Sequence, residues 1–272
     1  MIDTVAHQVR SAPSARFSVQ PARRVLLTFA SLLLIAAATA SISMISGPSQ
    51  GNDGPKILLF VGKGTSPGDV AALKQILNRN HFDFSTADSN QLNELSESQF
   101  ATYQLLIVPG GNFENIGKGV TATTTANIRK AVRGGLSYLG ICAGAFFAGN
   151  APYNGLNLTG GVRFKFYALE HRNIRKAAVP IDVAGSGTFD HYWEDGPELT
   201  GWGDAVAKYP DGTPAIVQGT AGDGWVVLSG VHPEAPDSWR KGLIFSTPAQ
   251  LDNAYAASLI WAALNRMPLA HY

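Results

Sequence analysis

The chain has 272 residues, of which 45% are hydrophobic and 15% charged, with 21 Lys+Arg against 20 Asp+Glu. That is too apolar for a disordered chain and too balanced in charge for one that tracks a phosphate backbone, so no nucleic-acid partner is expected. A single Cys and six His with no pair at helical i, i+3 or i, i+4 spacing exclude a disulfide scaffold and the usual zinc arrangements, and no metal or other cofactor is expected.

The first fifty residues carry Arg10, Arg16, Arg23 and Arg24 against Asp3 alone. Val25 to Ile45 is then free of charge and rich in Leu, Ala, Ile and Val. The spacing predicts a basic segment over 1–24, a membrane anchor or signal-peptide core over 25–45, and a Gly/Pro/Ser/Gln linker over 46–55. The two leader readings stay open, since Ala38-Thr39-Ala40 fits a cleavage site while the whole run is long enough to span a bilayer. In both, the basic side stays in the cytoplasm and the rest is exported, periplasmic or extracytoplasmic.

One domain is expected over 56–268. Lys56 to Val61 reads as a buried strand, and Ser66-Pro67 opens a helix reaching about Asn80. Phe82 to Ala87 and Leu105 to Val108 read as strands, the latter stopped by Pro109-Gly110-Gly111. Thr125 to Arg133 reads as a helix and Leu136 to Ile141 as a further strand. This alternation predicts a parallel α/β sheet. After Gly149, shorter strands at Ala178 to Val183, Ala205 to Tyr209, Ala215 to Gln218 and Trp225 to Leu228 predict a mixed or antiparallel extension. A closing helix is expected from about Pro248 to Asn265, with Leu251, Tyr255, Leu259, Ile260 and Leu264 on one face.

Chemistry concentrates in two segments. Gly140-Ile141-Cys142-Ala143-Gly144 lies between an apolar strand and a helix, the pattern of a nucleophile elbow with a thiol. Such a turn crowds the positions two before and two after the nucleophile, which must therefore lack bulk. Gly230-Val231-His232-Pro233-Glu234 follows the strand at Trp225. Residues i and i+2 of an extended segment project to one side, so Glu234 can orient His232 as a base. Gly62-Lys63-Gly64-Thr65 lacks the spacing of a phosphate loop, and the sequon Asn157-Leu158-Thr159 is too short a pattern to carry weight. Asp190 to Asp195 places aromatic and acidic side chains on an expected loop.

Gly-x-Cys-x-Gly followed by His-Pro-Glu resembles the class I glutamine amidotransferase-like superfamily. Pro109-Gly110-Gly111-Asn112, Gly135 to Ala145 and Tyr192-Trp193-Glu194-Asp195-Gly196-Pro197 are similar to the family of the biotin-protein ligase N-terminal domain. The resemblance implies a flavodoxin-like α/β sandwich, its mostly parallel central sheet flanked by helices on both faces, with a β-rich C-terminal extension. It implies Cys142 as nucleophile, His232 as base and Glu234 as orienter. Ala143 with Gly110 or Gly111 would supply the oxyanion hole, and Asn112, Tyr192 and Trp193 would lie near substrate. The Gln that follows the elbow in glutaminases is replaced by Ala145-Phe146-Phe147, and no adenylate loop is present, so neither glutamine amidotransfer nor biotin ligation is expected. The expected function is an exported thiol hydrolase of amidase type, acting on a small-molecule or peptide-like substrate and held to the membrane by its N-terminal segment. A ligand- or partner-binding domain without turnover is the alternative; the oligomeric state is not legible.

Overall fold

The computed structural model describes residues 56–272. The expectations for 1–24, 25–45 and 46–55 lie outside the described residues. No helix among the described residues is long and apolar enough to cross a membrane.

The chain runs β1 (Ile57–Phe60), α1 (Pro67–Arg79), β2 (Phe84–Ala87), α2 (Ser89–Glu94), α3 (Glu97–Phe100), β3 (Leu105–Val108), α4 (Phe113–Gly119), α5 (Ala122–Arg133), β4 (Ser137–Ile141) and α6 (Ala143–Ala148). There follow β5 (Lys165–Phe166), β6 (Lys176–Val183), β7 (Gly187–Glu194), β8 (Pro197–Glu198), β9 (Asp204–Lys208), β10 (Pro214–Ala221), β11 (Gly224–Ser229) and α7 (Ala249–Asn265). Nine strands form one sheet in the order β2-β1-β3-β4-β11-β10-β9-β6-β7, while β5 and β8 pair separately. The β2-β1-β3-β4-β11 portion is parallel and the rest antiparallel, the change falling at β11, which pairs with β4 on one side and β10 on the other.

The continuous apolar runs of β1, β3 and β4 are buried on both faces, as parallel strands require. Leu58, Phe60, Leu106 and Val108 point to the side covered by Ile116, Ile128 and Phe147 of α4, α5 and α6. Ile57, Leu59, Leu105 and Ile107 point to the other side, against Leu73, Ile76 and Leu77 of α1 and Leu259, Ile260 and Ala263 of α7. The three large side chains of α1 contribute about 1.5–3 kcal/mol each by burial, which fixes the start of α1 over the C-terminal ends of the strands.

Two expectations need correction. Asp190 to Glu194 is not a loop but the end of β7, paired with β6 residue for residue from Lys176↔Glu194 to Val183↔Gly187. The face assigned to α7 packs on the core at Tyr255, Leu259, Ile260 and Leu264, but Leu251 is 51% exposed while Asp252 is buried. Asp252 is drawn inward by Arg240 at 3.7 Å and His191 at 3.5 Å. The body also continues past 268, since Tyr272 donates its N–H to Ala205 O and its hydroxyl to Asp182 O.

Candidate active site

Cys142 occupies the turn between β4 and α6 with φ 49° and ψ −103°, a conformation costing a non-glycine residue about 1–3 kcal/mol. The surrounding bonds hold it there: Cys142 N–H donates to Ser229 O at 2.7 Å, and its carbonyl accepts from Ala145 and Phe146. The flanking glycines are needed for contact. A Cβ on Gly140 would lie 2.5 Å from Gly144 O, and one on Gly144 would overlap the Val108 carbonyl oxygen of β3. The Tyr138 hydroxyl ties the turn by donating to Gly144 O at 2.7 Å.

His232 follows β11, which lies beside β4, so thiol and imidazole leave the ends of neighbouring parallel strands. The Ser229 hydroxyl donates to Val231 O at 2.7 Å, and His232 N–H donates to Tyr192 O at 2.8 Å, which anchors the segment to β7. Glu234 Oε1 stands 2.9 Å from His232 Nδ1. A second carboxylate, not singled out by the sequence, approaches the same nitrogen: Asp69 Oδ1 of α1 at 3.0 Å. All three residues are buried. Nδ1 has at most one proton to give; Asp69 Oδ1, Glu234 Oε2 and His232 Nε2 have no hydrogen-bond partner.

Burial opposes charge on His232, but the sulfur of Cys142 and the two carboxylates outweigh it and raise the imidazole pKa well above its usual value. Burial pushes Glu234 up to about 7 against the pull of His232. Burial acts the same way on Asp69, yet the charge of His232, 3.0 Å away, prevails and its pKa is lowered. Asp69, His232 and Glu234 also form a group able to hold a metal ion, with one donor atom from each lying within 4.8 Å of the others.

Cys142, Asp69 and His232 line one cavity of about 660 Å³ together with Gly111, Tyr192 and Trp239. Lys176 and Lys241 stand exposed at its mouth. The Trp239 ring lies 5.8 Å from that of His232 and 5.5 Å from that of Tyr192. Trp239 can settle there because Gly68, below it, carries no Cβ. Of the residues expected near substrate, only Tyr192 lines the cavity, its hydroxyl donating to Glu194 Oε2 at 2.6 Å. Trp193, next along the strand, faces the core and donates to Gly196 O, and Asn112 is the N-cap of α4, accepting from Asn115 N–H at 2.9 Å. Gly110 lies against Asp69 and the His232 ring, and Ala143 is the first residue of α6.

Residues 55–154 match the family model described as biotin-protein ligase, N terminal. The matched residues number 100 of the 272. They include Asp69, the Gly110-Gly111 pair and the Cys142 elbow, while His232 and Glu234 lie beyond them. A glutamine amidotransferase of known structure shares 20% identity and a TM-score of 0.54, over 75% of this chain and 98% of its own. A glutamine amidotransferase from Thermotoga maritima shares 13% identity and a TM-score of 0.50, over 78% and 97%. The fold is that of the class I glutamine amidotransferase-like proteins. No curated protein matches the chain.

Proposed function

We propose that the protein is a thiol hydrolase acting on an amide- or ester-like carbonyl, with Cys142 as nucleophile, His232 as proton carrier and Glu234 as one of its holders. Cys142 gives its thiol proton to His232 and Sγ bonds to the carbonyl carbon as the C=O π bond opens to an oxyanion, held by the N–H of Ala143 and one from Gly110 or Gly111. His232 passes its proton to the leaving nitrogen or oxygen as that bond breaks. Water, giving one proton to His232, then attacks the thioester, and as the C–S bond breaks His232 returns that proton to the sulfur, releasing the acid and the thiol. The observation that carries this reading is that Cys142 and His232 line one cavity while Glu234 Oε1 holds His232 Nδ1 at 2.9 Å.

One contact favours the second reading, a binding domain without turnover: Cys142 Sγ donates to Glu194 O at 3.4 Å, an arrangement that uses the thiol rather than the thiolate. Incubating the purified full chain with a panel of small amides, peptides and esters, beside Cys142→Ala, separates the two. Product that appears with the parent chain and not with Cys142→Ala supports the hydrolase; no product alongside saturable binding of a panel member supports the binder. Glutamine is expected to be a poor substrate, given Ala145-Phe146-Phe147 after the elbow.

The site works outside the cytoplasm in this proposal, with residues 25–45 as anchor or export signal. The chain should fractionate with membranes or be recovered shortened after Ala40; intact chain in the soluble cytoplasmic fraction would sink the export reading.

A further inference from the structure

We propose that the outer side of α7, with the groove beside it, docks the domain onto the bilayer that residues 25–45 enter, so that the Cys142 cavity opens away from the lipid. The inference goes beyond the hydrolase reading and rests on the export reading in its anchored form.

α7 differs from the other long helices. Outside the core α1 carries Lys74 and Arg79, and α5 carries Arg129, Lys130 and Arg133, as helices lying between core and water do. In α7 the only charged residue, Asp252, is buried, and the exposed positions are Gln250, Leu251, Ala254, Ser258, Trp261 and Asn265. Leu251, Ala254, Ser258 and Trp261 follow one another at three- and four-residue steps, so they form one uncharged stripe down the helix. Leu251 and Trp261 are each about half exposed. A groove of about 550 Å³ adjoins the stripe, walled by Ala254, Ser258 and Trp261 and closed by Phe82, Met267 and Leu269. Single exposed apolar residues are ordinary, but a stripe continuous with an apolar groove marks a contact surface. Trp261 has the ring that settles at the level of lipid headgroups, apolar in body and polar at its N–H.

The place where the chain enters the domain points to the partner. Lys56 and Phe82 precede β1 and β2, and Ile57 N–H donates to Asp83 O at 3.1 Å. Arg266, just past α7, donates to Gly135 O ahead of β4. Since β1, β2, β4 and β11 are parallel, these residues mark the N-terminal end of the strands, while Cys142 and His232 leave the opposite end. Residues 46–55 separate Lys56 from the uncharged run of Val25 to Ile45, and fully extended they reach at most about 35 Å. A body formed by residues 56–272 has a radius of gyration of about 17 Å. So short a tether holds the surface nearest Lys56 against the headgroups at high effective concentration. Next in the chain to that surface, Lys56, Arg79 and Arg266 are exposed bases against one exposed acid, Asp83, a balance that suits an anionic lipid layer.

The test uses the full chain in vesicles of phosphatidylcholine and phosphatidylglycerol in equal parts. Because the chain has one Cys, Cys142→Ala leaves a background in which a single spin label can be placed, at Ser258→Cys on the stripe or at Lys241→Cys by the cavity mouth, both exposed positions. Oxygen, which concentrates in lipid, and a water-soluble nickel chelate each relax the label on contact. The oxygen-to-nickel ratio should be at least about fivefold higher at 258 than at 241. Leu251→Ser combined with Trp261→Ser, both at exposed positions, should remove most of that difference. Equal ratios in a chain that floats with the vesicles overturn the docking while the anchor stands. A full chain that does not float with them sinks the anchored reading and the docking with it, so the two failures are distinguishable. Spin–spin broadening at 258 in detergent, without lipid, would give the stripe to a second copy of the chain and also overturn the proposal.

Discussion

Gly144→Ala probes the elbow through its weakest tolerance. A Cβ at that position overlaps the Val108 carbonyl oxygen and lies 2.7 Å from its carbon and 3.1 Å from Val108 Cβ, where ordinary contact begins at 3.4 Å. None of these atoms is the end of a flexible side chain, so α6 must move away from β3 by at least about 1 Å. Overpacking of this kind costs about 1–3 kcal/mol, and the backbone obstacle places Gly144→Ala near the upper figure. For a folded part of this size that is a fall in melting temperature of about 6–12 °C. Gly134→Ala is the matched control: φ is −87° and the nearest atoms lie at 3.4 and 3.6 Å, so it should be neutral or stabilising by a few tenths of a kcal/mol. Both can be followed by urea unfolding with tryptophan fluorescence, since all five Trp lie within the described residues. Equal midpoints for Gly144→Ala and Gly134→Ala would refute the argument that contact with β3 requires the second glycine.

Stability should fall as pH rises from about 4.5 to 7. Folding raises the Glu234 pKa to about 7, so the folded chain binds more protons over that interval, and at 1.36 kcal/mol per unit the loss is at most about 3 kcal/mol. The raised pKa of His232 has the same sign: its stabilisation is full below the unfolded value and is lost as pH rises above it, which extends the decline above neutrality. Urea midpoints at pH 5 and 7 check this; Glu234→Gln should flatten the difference, and a parent chain more stable at pH 7 would contradict it. Cys142→Gly should raise the unfolding free energy by about 1 kcal/mol while abolishing turnover, because the strain at φ 49° is relieved as the sulfur is lost; a lower midpoint would mean that the turn is not strained. Residual activity should rank Glu234→Gln above His232→Ala, with Cys142→Ala lowest, and activity at parental level in Cys142→Ala would exclude covalent chemistry.

The elbow was legible because its requirement is local: Gly140 and Gly144 meet each other across four residues, and no distant partner is needed to see why. The strands β1, β3 and β4 were legible because burial on both faces leaves unbroken apolar runs. Asp69 was hidden by an innocent reading. Ser66-Pro67-Gly68-Asp69 is an ordinary helix start, and only the strand order, which sets α1 above the end of β11, turns the carboxylate into a neighbour of His232. β7 was mistaken for a loop because its side chains are aromatic and acidic rather than aliphatic; its identity depends on the pairing with β6 across the turn at Ala184 to Ser186, a contact that composition does not encode. Trp193 went wrong with it, since the alternation of a strand sends Tyr192 to the cavity and Trp193 to the core.

The Cys142 N–H bond to Ser229 O extends the ladder between β4 and β11 by one rung beyond Ser229↔Ile141. Nucleophile and imidazole therefore stand on a separation set by main-chain bonding, which is indifferent to the side chains mounted on it. A descendant of this chain could lose the thiol or the imidazole and keep both positions intact, ready to be refitted with other groups. The last rung of the sheet thus makes the site easy to retire and easy to repurpose without rebuilding the scaffold.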